Sequence, residues 1–347
     1  MTQTQTDDVF DSPDPFQDND YGIVRPERTE DKVPRDKNGW PKILPPDKKV
    51  LKDADLRSYA RASGYGKVLE NTYNIERYNE RNTADGFVQD KTLRLEWVGT
   101  GPEDKDRRNE LVSEAKKVAK ADEKSRTGSA VHAITERHDM GLSLKAIPEE
   151  HVPDLEAWIK VMKHFDILGI EKFVVEDTYR IAGTYDRLVY YHVPCPICGK
   201  HNRILDLKTG RVDFGQIGMA CQLAAYAHAR DYDPATGARA DQDVCLCRGI
   251  IVNLPAGTGQ ASLHWINIAQ GWNLAIRLAD EVKAIRRKKN WMAEFTTTPD
   301  LLPLIQQAGS RDEALVIFNM HQSVWTDELT RAVERRLEEI ATKGKAL

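Results

Sequence analysis

Several things are scarce in this sequence, and each scarcity narrows its class. No apolar run approaches the roughly eighteen residues of a membrane span, so no membrane partner is expected. The opening MTQTQTDDVFDS lacks the basic start and apolar stretch of an export signal, and a cytoplasmic location is expected. Cysteine is scarce too, at five in 347 residues, and an odd number in a chain this long does not read as a disulfide framework. No lysine or arginine precedes Arg25, whereas acids stand at 7, 8, 11, 14, 18 and 20. The net charge of -4 leaves no uniformly basic surface. A nucleic-acid partner therefore requires positive charge concentrated locally, or a divalent metal bridging protein to phosphate.

What is present reads as a sizeable folded region with additions at both ends. Residues 1–49 have the acidic, proline-containing composition of a disordered tail. Residues 50–125 read as a helical region, 126–293 as the core, and 294–347 as a C-terminal helical extension. Within the core, a helix through GSAVHAITERHDMG ends at Gly141, and another covers 153–168. The period then changes. KFVVEDTYRI, TYDRLVYYHV and NRILDLK are rich in β-branched and aromatic residues and read as three consecutive strands. GQIGMACQLAAYAHAR returns to helical spacing, and CRGIIVNL and ASLHWINI form a hairpin across PAGTGQ. Strands and helices around one sheet make an α/β or α+β domain.

RILDLKTG places Asp206 and Lys208 two residues apart on a strand, hence on the same face. If the preceding strand folds back with its turn centred on Ile197, Asp186 lies opposite Lys208 and diagonal to Asp206, within about 7–8 Å. Two carboxylates that close raise each other's pKa unless a cation sits between them, and hard oxygen donors suit Mg²⁺ or Mn²⁺. An isolated D-x-K is better explained by a cross-strand ion pair, so its company decides the reading.

That company is an ordered set: G-S-A-V-H with Gly128, Ser129 and His132, then a glutamate-bearing strand, G-T-Y-D, D-L-K-T-G and Q-L-A-A-Y. Over residues 126–290 the set resembles the RecB-type branch of the PD-(D/E)xK nucleases, which includes CRISPR-associated and phage exonucleases. The resemblance implies a restriction-endonuclease-like core, a central mixed sheet flanked by helices, that hydrolyses phosphodiester bonds in DNA with a divalent metal. It implies His132, Asp186, Asp206 and the Leu207 carbonyl as metal ligands, Lys208 beside the attacking water, and Gln222 and Tyr226 as DNA contacts. Glu176, on the preceding strand, is expected to play at most a supporting part. An imidazole ligand shifts preference toward Mn²⁺. Partners of such enzymes include helicases and single-strand annealing proteins, in recombination, repair or replication. An endonuclease of the same fold, or an inactive binding subunit, stands as the alternative.

The C-P-I-C-G stretch is the tight turn used as half of a zinc site, through Cys195 and Cys198. Cys245 and Cys247, at the start of a later strand, are one way to complete it. His192 and His201 are another, and free thiols a third. An iron-sulfur cluster is not supported, because nothing precedes Cys195 or follows Cys247 in the pattern of the iron-sulfur relatives.

Overall fold

The computed structural model describes residues 25–121, 123–144, 147–288, 291–292 and 300–343. The chain divides into two compact units between Ile285 and Arg286. The first holds strands β1 (Lys42–Ile43), β2 (Arg57–Ser58) and β3 (Ala60–Arg61), and helices α1 (Ala62–Tyr65), α2 (Tyr73–Gln89), α3 (Lys91–Gly99), α4 (Lys105–Val118), α5 (Glu123–Asp139) and α6 (Val152–Met162). It continues through β4 (Phe165–Glu176), β5 (Ile181–Tyr191), β6 (Asn202–Lys208), α7 (Gln216–His228), β7 (Arg230–Tyr232), β8 (Arg239–Ala240), β9 (Arg248–Asn253) and β10 (Ser262–Asn267). Helices α8 (Ile268–Gln270) and α9 (Arg277–Arg287) follow, joined by a π-helical turn. The second unit carries α10 (Leu302–Gln307), α11 (Arg311–Met320) and α12 (Asp327–Lys343), closed over Leu301, Ile305 and Leu329.

The central sheet runs β10-β9-β6-β5-β4-β7-β8. Only β6 with β9, and β3 with β5, pair in parallel; the other neighbours are antiparallel. The mixed sheet follows from the connections: the short β4-β5 turn and the cysteine-bearing β5-β6 hairpin loop join antiparallel neighbours, whereas the helical crossover through α7 returns the chain parallel. The alternation along β6 sorts the core onto two faces. Ile204 packs with Leu223, Ala224 and Ile268 under α7, while Leu205 and Leu207 pack with Val131, Ile134 and Trp158 under α5 and α6.

Along the edge of β5 that faces β6, β6 pairs residues 187–190 and β3 pairs 181–182. Residues 183–186 lie between these two ladders, and the gap opens the sheet where Asp186 stands. Two motif glycines let helices close in around it. A Cβ at Gly128 of α5 would lie 2.4 Å from Thr209 Oγ1, and one at Gly183 would lie 3.1 Å from the Tyr226 ring.

Two expectations need correction. The helix expected over 153–168 stops at Met162, and β4 begins at Phe165; the alternation in FDILGIEKF serves a strand paired along its whole length with β5. The tail expected over residues 1–49 is instead folded from Arg25 onward, and residues 1–24 lie outside the described residues. Val33 and Ile43 are buried with Tyr59, Phe173, Val175 and Tyr232, so this segment straps across the sheet despite its polar composition.

Candidate active site

The β5-β6 ladder ends with Arg187 paired to Leu205, so Asp186 and Asp206 are the first residues beyond its last rung. The expected register is therefore displaced by two residues. The displacement is an even number of residues, and the two acidic groups remain close enough for the charge of Asp186 to act on Asp206. On the other side of β5, the ladder pairs Ile170 with Arg187 and Lys172 with Tyr185, which sets Glu171 opposite Asp186. Glu171 has φ +47°, a left-handed backbone uncommon for a side chain of its size. Three adjacent strands thus supply Glu171, Asp186 and Asp206, with the charge of Asp186 felt by both of the others.

Helix α5 delivers His132, with Nδ1 3.6 Å from Asp186 Oδ2. The Leu207 N–H donates to the same oxygen at 2.7 Å, fixing the carboxylate against β6. Lys208 Nζ lies 2.5 Å from Asp206 Oδ2 and donates to Gln222 Oε1 at 3.3 Å. Gln222 Nε2 donates to Asp206 Oδ1 at 3.3 Å and to the Tyr226 hydroxyl at 3.2 Å. His132, Asp186, Lys208 and Gln222 are partly exposed, so the cluster opens to solvent, whereas Asp206 is buried.

The electrostatics suit cation binding. Burial, joined by the charge of Asp186, pushes Asp206 up to about 6 although Lys208 opposes the rise. Burial would raise Asp186 as well, but His132, Lys208, the Leu207 N–H and Arg187 together hold it below the usual range. Burial, assisted by Lys208, Arg187 and Arg28, lowers His132 against the pull of Asp186, so its imidazole is neutral and able to donate a lone pair. Lys208 is held above its ordinary value: burial disfavours its charge, and Asp206 and Asp186 more than compensate. A buried acid that resists ionisation, a neutral imidazole and an opposed carboxylate form a donor set that a divalent cation fits.

Sequence reasoning missed the surrounding groups. Glu136 lies one helical turn after His132 on α5, and that i,i+4 spacing was its available signal. Arg28 of the N-terminal strap had none: it donates to both oxygens of Glu136 at 3.1 and 2.5 Å and lies 3.1 Å from Glu171. Arg187 Nε pairs with Asp139 at 2.7 Å, and its NH1 donates to Glu171 at 3.4 Å. Glu176, expected to support the site, does not reach it. It accepts the Thr178 and Tyr179 N–H groups at 2.8 Å each, closing the β4-β5 turn, and stands five residues, roughly 17 Å of strand, from Glu171. Tyr226, expected at the DNA, is only 4 % exposed, and its hydroxyl faces Gln222.

A second cluster sits at the opposite end of β6, where the Cys245 N–H donates to the Asn202 carbonyl at 2.9 Å. The sulfurs of Cys195, Cys198, Cys245 and Cys247 all lie within 4.8 Å of one another, with Cys198 and Cys245 at 3.5 Å. Regular tetrahedral zinc thiolates require S···S of about 3.8 Å, given Zn–S near 2.3 Å. Burial disfavours the Cys195 thiolate, but the N–H groups of Ile197 and Cys198 and the neighbouring thiols outweigh it and bring Cys195 down to about 6. This is a turn already arranged around a thiolate, with Gly199 at φ +71° completing it. The alternative ligands are elsewhere: His192 is exposed beside Asp166, and His201 Nδ1 lies 3.0 Å from the Tyr191 carbonyl oxygen with its ring stacked on Tyr190. The cluster can hold a metal such as zinc.

Among the described residues, no helix is long and apolar enough to cross a membrane. No curated protein matches the chain. The model of the PD-(D/E)XK nuclease superfamily matches residues 89–342, which contain every residue of the acidic site but Arg28. Proteins of this superfamily are nucleases that use divalent metals on nucleic acid, and this chain belongs to it.

Proposed function

We propose that this chain is a divalent-metal-dependent deoxyribonuclease working as an exonuclease, with His132, Asp186, Asp206 and the Leu207 carbonyl as ligands of Mg²⁺ or Mn²⁺. The observation that carries the reading is the meeting of Asp186 and Asp206 just beyond the last β5-β6 rung, with a neutral imidazole beside the first and an ammonium beside the second. The bound metal supplies charge stabilisation for the phosphodiester under attack and lowers the pKa of its water. Lys208 orients that water, and its charge is sustained by Asp206 and Asp186. Gln222 is the member of the Q-x-x-x-Y pair left to meet a phosphate oxygen, while Tyr226 holds the amide in place from behind.

The ordered motifs resemble those of phage and CRISPR-associated exonucleases, which supports a place in recombination, repair or replication beside a helicase or an annealing protein. For the four-cysteine cluster the donor chemistry favours Zn²⁺ as a structural ion, stapling the β5-β6 turn to the start of β9 about 13 Å along β6 from Asp206. The deciding experiment offers end-labelled linear DNA and closed circles with Mn²⁺ and with chelator, beside an Asp206→Ala variant. Loss of linear DNA alone supports the exonuclease. Nicked circles would identify an endonuclease of the same fold, and binding without cleavage an inactive assembly subunit. Equal cleavage by Asp206→Ala would remove the site assignment.

A further inference from the structure

Two carboxylates at the site have no part in the ligand set just proposed. Glu171 stands opposite Asp186 in the β4-β5 ladder, and Glu136 lies one turn from His132 on α5. Cross-strand neighbours have Cβ atoms about 4.5–5.5 Å apart, within the reach that paired metal ions about 3.5–4 Å apart require of their ligands. Glu136 and Glu171 are both buried. Between them lies the guanidinium of Arg28, 10 % exposed, two-pronged on Glu136 and 3.1 Å from Glu171. Its segment is secured: Asp31 accepts the Arg28 N–H and pairs with Arg25, and Glu30 accepts the Thr184 hydroxyl two residues from Asp186.

We propose that Arg28 is a built-in cation standing in place of a second divalent ion, so that the pocket recruits one metal and no more. The inference rests on Asp186 and Asp206 being metal ligands. The carboxylates of Glu136 and Glu171, which would otherwise be available to a second ion, are bridged by the guanidinium of Arg28, with Arg187 on the other oxygen of Glu171. Without Arg28, Glu136 loses its two-pronged partner and Glu171 keeps Arg187 at 3.4 Å, which leaves two buried acids short of a cation. A second metal is the natural replacement.

Counting bound Mn²⁺ by electron paramagnetic resonance on the full chain tests this without reference to cleavage. The wild-type chain is expected to bind one ion at the acidic site, and Arg28→Ala two. A Glu136→Gln/Glu171→Gln double variant, with Arg28 intact, is expected to keep one. Two ions of similar affinity on the wild type, a single ion on a folded Arg28→Ala, or none on the double variant would each overturn the proposal. Should Arg28→Ala not fold, the wild-type and double-variant counts decide it. The ligand assignment fails separately, if the wild type binds none or if Asp186→Asn/Asp206→Asn still binds one.

Discussion

Replacing Asp206 by asparagine should separate what the site costs the fold from what it gives the chemistry. The side chain is 2 % exposed, and burial with Asp186 nearby moves its pKa from 3.8 to about 6. A folded-state pKa above the unfolded one means that the ionised form is penalised by folding. The contribution of Asp206 to the stability of the metal-free protein is therefore most favourable below pH about 4 and is lost as pH rises through 6, to a total of about 3 kcal/mol. Asp206→Asn keeps the shape and removes that penalty, less what Lys208 loses when its partner is neutralised. Lys208, 27 % exposed and still bonded to Gln222, can rehydrate. In chelator at pH 7.5 the variant should melt a few degrees above the parent, at roughly 2 °C per kcal/mol for a unit of this size. Its hydrolysis of linear DNA with Mn²⁺ should fall about a thousandfold, the equivalent of about 4 kcal/mol of metal-borne stabilisation. A variant cleaving within tenfold of the parent, or melting below it without metal, would refute the reasoning.

The other expectations concern the neighbouring groups. Lys208→Ala should lower the rate by roughly 10²–10⁴ while Mn²⁺ binds at least as tightly, since a competing positive charge has gone; loss of Mn²⁺ binding by calorimetry would contradict this. The wild type should work at least as well with Mn²⁺ as with Mg²⁺, and His132→Ala should erase that advantage; activity with Mg²⁺ and none with Mn²⁺ in the wild type would count against the imidazole as ligand. Below pH 6, protonation of Asp206 should weaken Mn²⁺ binding by about tenfold per pH unit, whereas a flat profile between pH 4.5 and 6 would mean that Asp206 is not a ligand. One zinc per chain should be found by metal analysis, and Cys198→Ser should lower both the zinc content and the melting temperature; full stability in a zinc-free Cys198→Ser protein would leave the cluster without a structural role.

Much of the acidic site was legible because its parts lie in short motifs whose spacing is local. Asp206 and Lys208 share a face by strand alternation alone, and Gly128 and Gly183 mark close approaches to Thr209 and Tyr226. The turn position was not legible, because C-P-I-C-G-K offers several two-residue choices with the same parity. Glu171 escaped notice since nothing in GIEKF marks a left-handed residue, and Glu176 drew attention simply by ending an apolar run. Arg28 lies 108 residues from Glu136 in a segment whose composition resembles disorder. Pairing of that kind is written in no window of sequence.

The strap carrying Arg28 also separates two ideas of where this enzyme begins. The matched region opens at residue 89, yet Ile43 and Tyr59 are seated beneath Phe173, and the guanidinium of Arg28 is anchored on Glu136 and Glu171 beside the proposed metal site. A fragment trimmed to the homology boundary would bare an apolar flank and leave two acids without their counter-ion. Inactivity or aggregation of such a fragment would therefore report the missing strap and say nothing about the catalytic residues it retains.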